Sequence, residues 1–505
     1  MAPIDTLLPL ATGAEMRDWE RATFDGGDIG ERVVLESAGR AAAVAIARTF
    51  PEGEVVAAVG KGNNGGDALV ALRTLRAWGR SVRAQPVGDV EWSRGLTHGW
   101  EIPVAAAGAG FATAGVVVDG ILGTGASGPP REPIGGVVDA INASGRPVVA
   151  LDGPTGVDLS TGAIPGAAVR ADLTVTFGIL KRGLLLHPGR SLAGRVLLAE
   201  VGLPPWDDGP WSGAVVTDGW ANARLPRIPA DAHKGSVGLV GVVAGRRGVG
   251  GAAIMAAMGA LRAGTGGVRV VSADANRTAI HAAVPEAVFV DRESEDVLDQ
   301  LAGTRAVLIG PGIGTDEGSR ALLSSILHAF AGPILLDADA LTLLAADANA
   351  LTPDVASRCV MTPHPGELGR LLGCETGDVL ADRFGTARAA AERFGCAVLA
   401  KGAPSIVAAP FGPIVVAVTG HSGVATGGMG DTLSGVVAAL LAGGAAPRDA
   451  AAMGLHFSGR AAERAGRGRG LLPRDVAEAL PGVIAGDAEP IVPQPPFLLD
   501  LPRPR

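Results

Sequence analysis

The sequence predicts an α/β chain in two domains, on three observations. Continuous apolar runs alternate with small-residue helical segments along the chain, as strands covered on both faces would. At 505 residues the chain exceeds what one core usually supports. Two glycine-rich turns ending in an acid, Asn63-Asn64-Gly65-Gly66-Asp67 and Gly427-Gly428-Met429-Gly430-Asp431, lie more than three hundred residues apart. Each precedes a helical pattern, where free backbone N–H groups and the positive end of the helix dipole attract anions. A nucleotide at both ends is the simplest reading.

In the front half, the strand 54–59 runs into the turn Asn63 to Asp67 and then into an expected helix over 68–78. Val116 to Asp119 and Pro147 to Asp152 are two further apolar strands ending in an acid. Ligands of an open α/β sheet bind beyond the carboxyl ends of its strands, so Asp67, Asp119 and Asp152 are expected to converge on one crevice. Any one of them alone reads as readily as a cap or turn former. The stretch 203–210, continuing to 224–229, is rich in Pro, Gly and Asp and reads as a linker. The back half opens with a strand over 237–243, a glycine-rich loop and a helix of Ala and Met, followed by strands near 306–310, 333–339, 360–363 and 397–402.

Composition excludes several functions. A formal net charge of −8 argues against a nucleic-acid partner, and with no tyrosine and 4% aromatics, base-stacking platforms are not expected. Cys359, Cys374 and Cys396 show no metal spacing and read as buried thiols of a reducing cytoplasm. Met1 to Thr12 carries no secretory pattern, and the apolar stretch 433–446 falls short of the ~20 residues a membrane span requires, so a cytoplasmic protein without a membrane anchor is expected.

The ordered motifs Lys61–Asp67, Val118–Gly125 and Leu151–Asp158 resemble the NAD(P)H-hydrate epimerase domain. Gly310–Gly314, Thr362–Glu367, Lys401–Ala403 and Gly428–Asp431 resemble the ADP-dependent NAD(P)H-hydrate dehydratase. Over nearly its whole length the chain is thus similar to the bifunctional NAD(P)H-hydrate repair family. The resemblance implies a Rossmann-like N-terminal domain (1–217), a ribokinase-like C-terminal domain (226–490), and a proline-rich tail, 491–505, expected to be disordered.

It further implies that the first domain interconverts the R and S epimers of hydrated NADH or NADPH. The second would dehydrate the S epimer at the expense of ADP, releasing AMP and phosphate. In the first domain the hydrate would lie against Asn63, Asn64, Gly65, Gly66, Asp67, the loop Gly123, Thr124, Gly125, Ala126, Ser127, Gly128, Pro129, and Asp152. Asp152 would be catalytic, with the choice between Asp119 and Asp152 as the acid/base left open, and K+ would be held by Asn64, Asp119 and Thr155, a set of oxygen ligands suited to a hard cation. In the second, Ala252, Gly312, His364 and Asp431 would line the hydrate pocket. Lys401, Gly402, Ala403, Pro404, Ser405 and Gly430 would hold the adenine nucleotide with Mg2+, and Asp431 would accept a hydroxyl proton beside the amides of Gly428 to Gly430.

Two positions depart from the family pattern: Ala68 stands for a glycine and Thr155 for a serine. Thr155 keeps the hydroxyl, and Ala68 is harmless unless its backbone needs positive φ. His364, between two prolines, reads either as a ligand contact or as a structural turn residue, and Lys401 as a phosphate contact or a solvated lysine. Lys181 reads as a surface charge or as part of the family pattern. Residues 35–41 read as a helix-packing face, and the small-residue segment 251–264 as a face that could pair two copies in a homo-oligomer. A ribokinase-like kinase for a vitamin precursor and a cofactor-sensing binding protein are the competing functions. NADH against NADPH hydrate, and ADP against ATP, stay open.

Overall fold

The computed structural model describes residues 6–27, 29–88, 95–105, 110–204, 211–347, 350–486 and 493–504. The chain forms two compact units, one of residues 8–213 with the C-terminal strand, the other running from 214 to the end of the helix Pro473–Ile484. Strands are numbered along the chain. β1 (Leu8–Ala11), β2 (Val55–Val59), β3 (Val82–Pro86), β4 (Val116–Gly120), β5 (Val148–Leu151), β6 (Leu173–Phe177), β7 (Leu180–Lys181) and β8 (Arg195–Ala199) belong to the first unit. The next are β9 (Gly213–Val215), β10 (Leu239–Val243), β11 (Gly267–Ser272), β12 (Val288–Asp291), β13 (Ala306–Ile309) and β14 (Ile334–Leu336). They are followed by β15 (Cys359–Met361), β16 (Ala397–Ala400), β17 (Ile406–Ala408), β18 (Ile414–Val416) and β19 (Phe497–Leu501).

The first unit's main sheet has the order β19-β8-β6-β5-β4-β2-β3, parallel from β8 to β3, while β1 and β7 form a short parallel pair. Its apolar runs are buried on both faces, between the helices Glu31–Thr49 and Asn63–Ala77 on one side and Ile134–Ala143 on the other. Strand order reverses direction between β2 and β4, which places a crevice at their carboxyl ends.

β19 corrects the expected disordered tail. It pairs antiparallel with β8, Phe497 and Leu501 are buried, and Arg195 grips Asp500 through two N–H···O bonds of 2.8 and 2.6 Å. The proline-rich approach to it masks the Phe-Leu-Leu-Asp-Leu segment, which covers the otherwise open edge of β8. The expected linker is also shorter than read: β9 and the helix Asp218–Arg224, with buried Trp220, occupy part of it, while 205–210 lie outside the described residues.

The second unit's sheet runs β12-β11-β10-β13-β14-β15-β16-β17-β18-β9, parallel as far as β16. Its order reverses between β10 and β13. The helices Gly250–Arg262 and Met429–Ala442 pack together against it, so closely that a Cβ on Gly259 would collide with the Thr432 carbonyl and one on Gly435 with that of Ala256. The small-residue face of 251–264 is thus used, at Gly259, for packing inside the unit. Among the described residues no helix is long and apolar enough to cross a membrane.

Candidate active sites

In the first unit the structure shifts the start of a helix. The expected turn Asn63–Asp67 is already helical, with Gly62 as the N-cap of Asn63–Ala77. Its glycines serve close approach: a Cβ on Gly65 would strike the Gly60 carbonyl, and one on Gly60 that of Ile121. Ala68 is interior to this helix and buried, its methyl seated where a Cβ on Gly120 would go, so the glycine it replaces is not needed for positive φ. Gly39 of the preceding helix fits over Val70, as the packing reading of 35–41 expected. Asp67 thus stands in the second helical turn, buried. Burial, then the charges of Asp152 and Glu20, push its carboxyl well up, against the pull of Lys181.

Asn64, Asp119 and Thr155 meet behind this helix. Asp119 accepts from the Thr155 N–H (2.8 Å), the Thr155 hydroxyl (2.7 Å) and the Ile121 N–H (3.3 Å), and Thr155 Oγ1 accepts from the Leu122 N–H (3.1 Å). Burial raises the Asp119 carboxyl to about 6, opposed by the bonds from Thr155 and Ile121. Asn64 donates to the Leu122 carbonyl (3.0 Å), while its buried Oδ1 has no partner. A buried amide oxygen without a donor, linked through Leu122 and Thr155 to a buried carboxylate, fits a bare monovalent cation.

Asp152 leaves β5 with φ +62°, a left-handed conformation that Asp tolerates better than most residues. Its Oδ2 accepts from the Thr124 N–H (3.1 Å), and a Cβ on Gly123 would lie 3.2 Å from that oxygen. Gly123 is also the neighbour of the Asn64 side chain, so the loop Gly123–Pro129 begins between the cation set and Asp152. Oδ1 accepts from Thr176 (3.3 Å) and pairs with Lys181 Nζ at 2.5 Å. Lys181 is 1% exposed and also donates to the Phe177 carbonyl (2.6 Å), which corrects the surface reading. Glu20, on the helix Gly13–Asp25, joins this group: burial raises it to about 7, Lys181 opposing and Asp152 and Glu31 assisting.

In the second unit, Gly428 is a left-handed N-cap (φ +87°) and Asp431 lies in the first turn of the helix Met429–Ala442. Burial, then the charge of Asp337, raises Asp431 to about 7 against the pull of Lys401. Lys401 Nζ donates to Asp337 Oδ1 (2.8 Å) and lies 4.0 Å from Glu367, and a Cβ on Gly430 would lie 3.5 Å from it. Burial opposes its charge, but Asp337, Glu367 and Asp431 hold the ammonium above the ordinary lysine value. Lys401 and Gly430 are thus brought together, whereas the loop to Ser405 closes on itself: Ser405 Oγ accepts from the Gly402 N–H and donates to the Gly402 carbonyl.

Gly312 stands over Val249 and Ala252, with the Gly245 and Arg246 N–H groups donating to Pro311 and Gly312 carbonyls (2.9 and 2.6 Å). His364 caps the helix Pro365–Leu372: Nδ1 accepts from the Gly366 and Glu367 N–H groups, and Glu367 accepts from the His364 N–H (2.8 Å). The turn reading accounts for Nδ1 and leaves Nε2, on an exposed ring, facing Glu367 at 3.5 Å.

Sequence reasoning missed Glu20, the roles of Lys181 and Asp337, and Arg383. Arg383, buried, donates to the carbonyls of Ala400, Lys401 and Pro404 and braces the whole 401–404 turn. The signal for Asp337 was a strand-end acid, the same one that singled out Asp119 and Asp152. Nothing in the sequence marks Glu20 or Arg383, which sit on helices among ordinary surface charges.

Two α/β units, each with conformationally constrained glycines and raised carboxyls at the carboxyl edge of a parallel sheet, define an enzyme with two sites for nucleotide-like substrates. The family model described as YjeF-related protein N-terminus matches residues 31–183, and that of NAD(P)H-hydrate dehydratase matches 240–482. The bifunctional NAD(P)H-hydrate repair enzyme of Moorella thermoacetica is 35% identical over 94% of this chain and 96% of its own. That of Escherichia coli is 35% identical over 84% of each. Among solved structures, a Streptococcus mutans protein aligns with TM-score 0.51, 27% identity, 55% of this chain and 100% of its own. A ribokinase-like superfamily protein from Enterococcus faecalis aligns with TM-score 0.50, 26% identity, 55% of this chain and 96% of its own. The chain belongs to the bifunctional NAD(P)H-hydrate repair enzyme family.

Proposed function

We propose that the chain restores hydrated NADH and NADPH in two steps, the first unit equilibrating the C6 epimers and the second dehydrating the S epimer with ADP. The observation that carries it is Asp431, a raised carboxyl in the first turn of a helix whose Gly430 lies against the Lys401 ammonium. Asp431 takes the proton of the C6 hydroxyl as its oxygen bonds to the β-phosphorus of ADP and the bond to AMP breaks. Phosphate then leaves from C6 with its electron pair, a proton leaves C5, and the dihydronicotinamide double bond re-forms. The products balance as NAD(P)H, AMP and phosphate. Ala252, Gly312 and the His364 ring edge would bound the hydrate, and Lys401 to Ser405 with Gly430 the nucleotide.

In the first unit Asp152 would exchange the proton, with the hydrate against Asn63–Asp67 and the loop Gly123–Pro129. Asn64, Asp119 and Thr155 would hold potassium, whose charge offsets the buried Asp119 and orders the loop that Leu122 begins. Among the described residues no group of three His, Cys, Asp or Glu side chains is arranged to hold a metal, so magnesium belongs in this reading to the diphosphate, whose charge it offsets. A cytoplasmic setting and a homo-oligomer complete the reading.

The test is near-ultraviolet absorbance when the protein meets NADPH hydrate with ADP. Recovery of dihydronicotinamide with stoichiometric AMP supports the proposal. Phosphorylation of a vitamin-precursor alcohol without hydrate turnover would replace it with the kinase reading.

A further inference from the structure

We infer that Lys181 is a positioning residue of the epimerase site: by holding Oδ1 of Asp152 it makes Oδ2 the oxygen that exchanges a proton with the hydrate. The inference rests on the epimerase reading of the first unit and adds to it a residue and an atom. Three donors surround the Asp152 carboxylate, and their division is unequal. Lys181 Nζ (2.5 Å) and Thr176 Oγ1 (3.3 Å) both address Oδ1, whereas among the described residues Oδ2 has only the Thr124 N–H (3.1 Å). Oδ2 also lies on the Gly123 side, where a side chain would press on it at 3.2 Å.

A lysine this deeply buried is tolerated only against a counter-charge, and its second bond, to the Phe177 carbonyl, fixes where Nζ sits. The ammonium also pulls against the raised carboxyls of Glu20 and Asp67. The ion pair and the Phe177 anchor together orient one carboxylate.

The test compares Lys181→Met, Asp152→Asn and the double variant in the full-length enzyme, using epimer-resolved NADPH hydrate. Lys181→Met is expected to lower the epimerase kcat on the order of tenfold to a hundredfold, the cost of a misaimed group, with KM within about twofold. The double variant should fall no further than Asp152→Asn, because the two residues act as one unit. Unchanged kcat in Lys181→Met overturns the inference. So does a further loss of the same size when Lys181→Met is added to Asp152→Asn. If the single lysine variant fails to fold, the double variant, in which neither charge is stranded, is compared with Asp152→Asn. Wild-type enzyme that epimerises nothing would instead sink the epimerase reading itself.

Discussion

Lys401 and Asp337 are joined by a 2.8 Å ion pair at the carboxyl edge of the second sheet, and the other oxygen of Asp337 accepts from Ser434 at 2.7 Å. Asp337 is buried, and although the Ala338 N–H also reaches Oδ1 (2.9 Å), Lys401 supplies its counter-charge. The lysine is thus at once a candidate phosphate contact and the counter-ion of a structural acid. Lys401→Met is expected to abolish dehydration and to destabilise the second unit by about 3 kcal/mol, the cost of stranding a buried charge. Adding Asp337→Asn should recover most of the melting temperature and none of the activity. Calorimetry beside the hydrate assay checks both.

Asp431 sets the pH dependence of dehydration. Burial and Asp337 raise it to about 7, and only the ionised form accepts a proton. The rate should therefore fall on the acid side with a midpoint near neutrality, rather than near the ordinary carboxylate value. The folded state holds this proton more tightly than the unfolded chain, so stability is lost as pH rises from the ordinary carboxylate value to about 7 and levels off above it. Asp431→Asn should accordingly melt higher than wild type at alkaline pH, while being inactive. A pH–rate profile and paired melting curves decide it.

The unpartnered Oδ1 of Asn64 predicts a cation effect on stability. Potassium should raise the melting temperature of the first unit as its concentration climbs, by mass action, and choline should not. Asn64→Ala should abolish the increment. An increment that survives the substitution, read by calorimetry, would place the ion elsewhere.

The C-terminal strand should matter to one unit alone. Removing residues 493–505 strips β8 of its partner and Arg195 of Asp500. The first unit should then melt lower and epimerise less, with dehydration of the S epimer retained. Equal loss of both activities would refute this.

Much of this arrangement was legible in the sequence for physical reasons. Continuous apolar runs marked the parallel strands, and the strand-end acids Asp119 and Asp152 marked the carboxyl edge of the first sheet. What escaped notice depends on three-dimensional approach. The glycines of Asn63–Asp67 read as a turn, yet they sit within a helix because Gly60 and Gly65 must pass backbone to backbone. Lys181 read as solvated because no local pattern reveals that the Phe177 carbonyl and Asp152 enclose it. β19 hid behind prolines, and its pairing with β8 spans some three hundred residues.

The central claim is that one chain carries two separable activities, one assigned to Asp152 and the other to Asp431. The most direct measurement follows dihydronicotinamide recovery from a mixture of R and S hydrate with ADP, for wild type, Asp152→Asn and Asp431→Asn. Full recovery in wild type, recovery stalled at the S fraction in Asp152→Asn, and none in Asp431→Asn is the expected result. Full recovery by Asp431→Asn, or complete loss in Asp152→Asn with pure S epimer, would contradict it.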